Sequence, residues 1–346
     1  MKKNNQKKIE NIINSIVDYK NYHGCAIHIE SLDNDIKFNY SAGNLEESKQ
    51  FYIASINKIM LSAIALKMSL GNLINLDDKI IKYLPNDLTN NLLVIDGKNY
   101  TDEITVRHLM SHTSGLPCYL IDKPKGQSSV MESLLSGNDE EWSIDRVVDY
   151  AKRIPPKFVP GAPQKASYSD TNFRLLGAIL EKASSKSTEE LLGELFKLCN
   201  MDDTYVITES TANDFAPIYV GNNNISVMNY LISTGQDIVS TAEDLAKFTR
   251  KFFDGSIYPE SKLNELQNWN NIFFPFKYGT GIQKFYVPLI LSLFNKVPDM
   301  LGHSGSTGTA AFFVPERNLI ITGCTNQAKS PSKLFQMMIK IMNSIK

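Results

Sequence analysis

Ala310-Ala311-Phe312-Phe313-Val314-Pro315-Glu316-Arg317-Asn318-Leu319-Ile320-Ile321-Thr322-Gly323-Cys324 reads as two β-rich runs, 310–314 and 319–324, folded back about a Pro-Glu-Arg-Asn turn. Leu334, Met337, Met338, Ile341 and Met342 then recur at helical spacing. The other end of the chain mirrors this arrangement. Ile9, Ile12, Ile13, Ile16 and Val17 predict a helix near 6–20, and Cys25–Glu30 and Ile36–Tyr40 are short strands separated by Leu32-Asp33-Asn34-Asp35. A helix with one apolar stripe needs a sheet to lie on, so the two ends belong to one α/β domain. Between them the pattern turns helical. Ser55–Leu70, closed by Gly71, is followed by helices near Arg107–Ser111, Ser143–Arg153, Thr171–Ser184 and Thr241–Phe253, with few strand signals. The expected fold class is α/β plus all-α: an antiparallel sheet flanked by N- and C-terminal helices, built from residues 1–67 and 261–346, with a mainly helical domain inserted over 68–260.

The chain has 346 residues, a little over two domains at roughly 150 residues each, so it buries a large core without disulfides or metals as staples. Thirty-six basic against 37 acidic side chains leave a formal net charge of −1, which removes the electrostatic case for nucleic acid or an anionic membrane as partner. The longest mostly apolar stretch, Phe285–Phe294, contains Pro288 and Ser292 and is far short of the roughly 20 residues that span a bilayer. Met1–Lys8 carries lysines, but Ile9–Asn14 is amphipathic where a signal peptide needs an unbroken apolar run. Cys25, Cys118, Cys199 and Cys324 stand alone, without Cys-x-x-Cys spacing. A cytoplasmic location with reduced thiols is therefore expected, or an extracytoplasmic one if a leader has been removed. A monomer or weak oligomer is expected.

The chemistry begins at Phe51-Tyr52-Ile53-Ala54-Ser55-Ile56-Asn57-Lys58. Ile56, Ile59, Met60, Ala63 and Ile64 form the buried face of a helix that starts at the serine, and Lys58 lies one turn on, on the same face as the hydroxyl. A serine hydroxyl needs a base within hydrogen-bond range to act as a nucleophile, and an amine serves if its pKa is depressed. The alternative is a helix-capping serine beside a solvated lysine. The Pro/Gly loop from Pro160 runs into the helix at Thr171 and carries Tyr168 and Asp170 at its end, where catalytic side chains commonly sit. Tyr168 either shuttles a proton beside the lysine or packs its ring with its hydroxyl on backbone. Gly302-His303-Ser304-Gly305-Ser306-Thr307-Gly308-Thr309 is a small-residue stretch that lets a substrate approach a strand edge; the backbone N–H groups of Ser306 and Ser55 are candidates for an oxyanion hole.

Ser55-x-x-Lys58, Tyr168-Ser169-Asp170 and His303-Ser304-Gly305, in this order, resemble the serine beta-lactamase-like superfamily, in its class C beta-lactamase, D-alanyl-D-alanine carboxypeptidase and esterase branch. Leu70–Asp78 with Tyr83-Leu84-Pro85, Thr105–Pro117 and Ser240–Leu245 resemble its connecting segments, so the likeness covers nearly the whole chain. The resemblance implies a beta-lactamase/transpeptidase-like fold and a serine hydrolase without cofactor or metal. Its substrate would be a small molecule or short peptide bearing an acyl group: an ester, a D-amino-acid peptide or a beta-lactam. Ser55 would form the acyl-enzyme, Lys58 and Tyr168 would share its proton traffic, and His303, Ser304 and Gly305 would line the substrate edge. The class C enzymes resembled here usually have lysine at position 303 and asparagine at position 170. With histidine at 303 the chain looks more like the carboxypeptidase and esterase members of that branch, and the two departures argue against efficient penicillin hydrolysis.

Three other readings compete. His108 and His112, four apart, suggest a zinc pair on one helix face, but no glutamate follows His108 and no third ligand is visible. Gly305-Ser306-Thr307-Gly308 lacks the Gly-x-Ser-x-Gly pattern and precedes a strand. The scaffold also suits a weakly catalytic penicillin-binding or sensor protein. The aromatic residues between Asn268 and Met300 (Phe273, Phe274, Phe276, Tyr278, Phe285 and Tyr286) either line an acyl pocket or belong to the core, the core being the expectation for most.

Overall fold

Both chain ends meet at one strand. In the computed structural model, which describes residues 3–46, 49–212, 215–289 and 296–345, Gly24–Ser31 pairs antiparallel with Leu319–Cys324 on one side (Ala26 opposite Cys324) and with Lys37–Gly43 on the other. The sheet continues through Thr309–Val314, Met300–Gly305, Gln283–Phe285, Phe276–Tyr278 and Asn270–Phe273, eight strands in all, every pairing antiparallel. Residues 290–294 of the apolar stretch 285–294, and the first two of the lysine-bearing stretch 1–8, lie outside the described residues.

Because strand side chains alternate between faces, each strand serves two cores. Cys25, Ile27 and Ile29, with Ala310, Phe312, Val314 and Ile321, face the helices Lys3–Asn14 and Ser332–Ser344, which lay down Ile9, Ile13, Leu334, Met338 and Ile341. Ala26, Ala311 and Cys324 face the opposite way and join the core of the helical region, where helix Ala242–Phe253 contributes Leu245, Phe248 and Phe252. That helix is fastened to the sheet by Arg250, which donates to Glu30 (2.8 Å) and to the carbonyls of Ser31 (2.7 Å) and Leu32 (2.8 Å).

The expected helices form at Asn57–Leu70, Val106–Met110, Ile144–Ala151 and Asp170–Ser184, within a residue or two of their sequence bounds. The first helix ends at Asn14 rather than near 20. Asp18 accepts the backbone N–H groups of Lys20, Asn21 and Tyr22 (2.7–2.9 Å), and Tyr19 is left-handed (φ 52°), which turns the chain. Three short strands between 270 and 285 had no clear alternation to announce them. Among the described residues no helix is long and apolar enough to cross a membrane.

Candidate active site

Ser55 sits in a single 3-10 turn, Ala54–Ile56, immediately before helix Asn57–Leu70. The turn is held tightly. Ile53 donates its N–H to the Ile238 carbonyl (3.0 Å), and Thr309 and Thr307 donate hydroxyls to the carbonyls of Ile53 (2.9 Å) and Tyr52 (3.1 Å). Ala54 is left-handed at φ 49°, an unusual conformation for a residue with a Cβ. Gly305 is needed here for closeness: a Cβ on it would lie 2.2 Å from Thr309 Oγ1 and 2.5 Å from the Ile53 carbonyl oxygen. The strand can therefore approach the serine only without a side chain at 305.

Lys58 is 4% exposed, and its Nζ lies 3.0 Å from Ser55 Oγ and 2.6 Å from Asp170 Oδ1. Asp170 Oδ2 in turn accepts from the Cys118 thiol at 3.2 Å, and the Asp170 N–H points to the same sulfur at 3.2 Å. Burial pushes the Lys58 ammonium toward losing its proton, but the charge and hydrogen bond of Asp170 outweigh it, and its pKa stands above the ordinary 10.5. Burial and then the Asp170 charge push the Tyr168 phenol well above 10, and the nearby Ser55 hydroxyl only partly offsets them. At rest Ser55 is thus flanked by an ammonium and a neutral phenol.

Two cavities meet at Ser55 and Ser306. The larger, about 570 Å³, runs between Tyr168, the 304–306 segment, the Phe273–Phe276 wall and Phe335 of the C-terminal helix. The smaller, about 80 Å³, is bordered by Lys58, Asp170, Asn57, Tyr119 and Tyr230.

A family model described as Beta-lactamase matches residues 24–337. The chain belongs to the beta-lactamase family. Among curated relatives it is 22% identical to a putative D-alanyl-D-alanine carboxypeptidase of Escherichia coli K12, over 81% of this chain and 69% of that one. It is 26% identical to the esterase EstB of Burkholderia gladioli, over 41% of this chain and 34% of that one. Among solved structures, a D-amino acid amidase from Ochrobactrum anthropi SV3 complexed with L-phenylalanine amide shares the fold at a TM-score of 0.80 and 20% identity, covering 99% and 98% of the two chains.

In this member of the beta-lactamase family, Ser304 and Gly305 line the larger cavity, whereas His303 lines neither. Its ring is fully buried behind Tyr168, 6.4 Å between centroids, because consecutive strand residues point to opposite faces. His303 Nδ1 donates to the Ser304 carbonyl (2.8 Å), which leaves Nε2 to accept from the Tyr278 hydroxyl (3.0 Å). Burial and then the Lys58 charge lower its pKa to about 3, so the imidazole is neutral.

His112 is the residue whose role the sequence reading missed, having weighed it only as half of a zinc pair within a connecting segment. It is fully buried, left-handed at φ 57°, and its Nδ1 accepts the Ser169 N–H (3.1 Å) while its ring packs on Tyr168 at 4.4 Å. It thereby fixes the Tyr168 backbone and ring together. The zinc geometry does not form: the helix stops at Met110, so His108 and His112 share no helix face, and His108 Nδ1 instead accepts from the Thr105 N–H (3.3 Å). Among the described residues no three His, Cys, Asp or Glu side chains are grouped to hold a metal. Gly305–Gly308 lies at the turn between two antiparallel strands, not at a strand-to-helix elbow. The only signal for His112 in the sequence was its place in Thr105–Pro117, a segment resembling the family's.

Proposed function

We propose that this protein is a serine hydrolase that works through an acyl-enzyme on Ser55, with esters and D-amino-acid peptides as better substrates than beta-lactams. The observation that carries the reading is the Lys58 amine 3.0 Å from Ser55 Oγ, with Tyr168 lining the same cavity as that serine. Ser55 Oγ attacks the substrate carbonyl as its proton passes to free-base Lys58; the negative oxygen is held by the backbone N–H groups of Ser55 and Ser306. Collapse breaks the carbonyl–leaving-group bond, the proton reaching the leaving atom through Tyr168. Water then enters by the reverse proton path and releases the acid.

Asp170 favours the ammonium form of Lys58, so only a minority of molecules hold the free amine at neutral pH. That observation also supports a second reading, a penicillin-binding or sensor protein whose acyl-enzyme is long-lived. Mass spectrometry after exposure to a small fluorophosphonate should place one adduct on the peptide containing Ser55, absent in Ser55→Ala. An adduct elsewhere, or ester turnover surviving in Ser55→Ala, overturns the mechanism. Decay of a penicillin adduct over minutes or over days separates hydrolase from sensor.

The same reading has the protein acting in the cytoplasm as a monomer or weak oligomer, its two domains being 1–67 with 261–346 and 68–260. Four unpaired, buried cysteines support reducing surroundings. Cell fractionation, sedimentation and limited proteolysis near residues 68 and 260 test these three points.

A further inference from the structure

The two cavities that meet at Ser55 differ in size, polarity and proton chemistry. Tyr168 lines the larger and not the smaller, whereas Lys58 and Asp170 line the smaller and not the larger. In the mechanism above, on which this inference rests, Tyr168 delivers the proton to the departing atom, so the leaving group must lie on the Tyr168 side. That side holds about 570 Å³, within the usual range for small-molecule sites; the acyl side holds about 80 Å³, room for a few carbon atoms.

The leaving-group cavity is walled by Phe273, Phe274, Phe276, Phe285, Tyr286 and Phe335, and among the described residues no charged side chain lines it. His303 supplies no cation, being buried and neutral. The nearby Lys277 stands outside the lining, with its ammonium 5.7 Å from the centre of the Tyr286 ring. Phe274 at the rim is 71% exposed, an aromatic face open to a ligand. A carboxylate on the leaving group, as a C-terminal D-amino acid carries, would lose water here without a counter-charge, whereas an alkyl or aryl group would be buried favourably.

We infer that, within the substrates proposed above, esters or amides of small acids whose leaving group is bulky, apolar and uncharged are preferred over peptides that release a free C-terminal D-amino acid. The selectivity is the reverse of a long-chain acyl hydrolase, which needs its large apolar cavity on the acyl side.

The test uses two series of simple alkyl esters, since alkyl leaving groups of different length are similarly reactive. Along ethyl, butyl and hexyl acetate, kcat/KM should rise by up to about fourfold for each methylene buried. Along ethyl acetate, butyrate and hexanoate it should stay level or fall. An acetate ester whose hexyl chain ends in a carboxylate should be at least about tenfold worse than hexyl acetate, the scale of an uncompensated buried charge. Gln336→Arg, at an exposed helix position on the cavity wall, should selectively improve that carboxylate ester. A rise along the acyl series instead of the alcohol series, or a preference for the carboxylate ester in the unaltered protein, overturns the inference. Labelling of Ser55 by ethyl fluorophosphonate, run in parallel, tells the failures apart: labelling with the wrong selectivity refutes the cavity assignment alone, and absence of labelling refutes the acyl-enzyme as well.

Discussion

The two faces of the eight-stranded sheet are buried by different chemistry. Beneath the terminal helices the contacts are among Ile9, Ile13, Ile27, Phe312, Met338 and Ile341, apolar side chains that need only shape and volume. Toward the helical region the buried set includes Lys58, His112, Asn172 and His303, groups that are costly to bury unless something bonds to them. Most are answered individually: Lys58 by Asp170, His303 Nε2 by the Tyr278 hydroxyl (3.0 Å), and Asn172 Oδ1 by the Ser114 hydroxyl (2.7 Å). His112 Nε2 has no hydrogen-bond partner, although its other nitrogen is bonded. One face is thus an apolar core, of which Phe276, Phe285 and Phe335 also wall the larger cavity, and the other accepts a cost in stability to hold polar groups around Ser55.

The largest effect should come from the polar face. Lys58→Ala and Tyr168→Phe should each slow acylation by about 100-fold to 10,000-fold, the range of a general acid–base contribution. Residues that pass one proton act as a unit, so the double variant should be little slower than the slower single one. Stopped-flow acylation by one activated ester measures all three, and full additivity would mean that the two side chains have separate tasks.

The apolar face should give the opposite pattern. Ile341→Ala removes a fully buried side chain between the C-terminal helix and the sheet, and should cost about 2–5 kcal/mol of stability in urea melts. Its kcat/KM per folded molecule should stay within about twofold, since surface or core changes remote from a site leave transition-state contacts intact. A large loss of kcat/KM in folded protein would show that the two faces are coupled.

A subtler change separates charge from hydrogen bonding at the junction. Asp170→Asn removes the charge that raises the Lys58 pKa and leaves burial, which lowers it, to act. Acylation needs the free amine, so kcat/KM climbs with pH through the Lys58 pKa, and in the variant the climb should occur at lower pH. The new amide also offers an N–H donor, so amide and lactam substrates should gain more than simple esters. Matching pH profiles of kcat/KM for an ester and a lactam in both proteins would be the contrary result, and would sever Asp170 from the control of Lys58.

Local pattern was enough for much of this. The strands at 25–30, 310–314 and 319–324, the helix after Ser55 and the helix after Asp170 follow from periodicities of 2 and 3.6, which record one element against its own solvent boundary. The order of Ser55-x-x-Lys58, Tyr168 and His303 carried the family, because a linear motif survives in sequence whatever the fold does with it. Tertiary structure alone decided who touches whom. Cys118, Asp170 and Lys58 are joined in one chain of contacts although they lie on three separate segments, and no local window contains all three. It also turned His303 behind the site, brought His112 beneath Tyr168, and moved Tyr278 from an aromatic wall to a buried hydrogen bond. Such pairings depend on the packing of remote elements, so the charge state of Lys58 and the unequal cavities beside Ser55 exist only once the sheet and the helices have closed on each other.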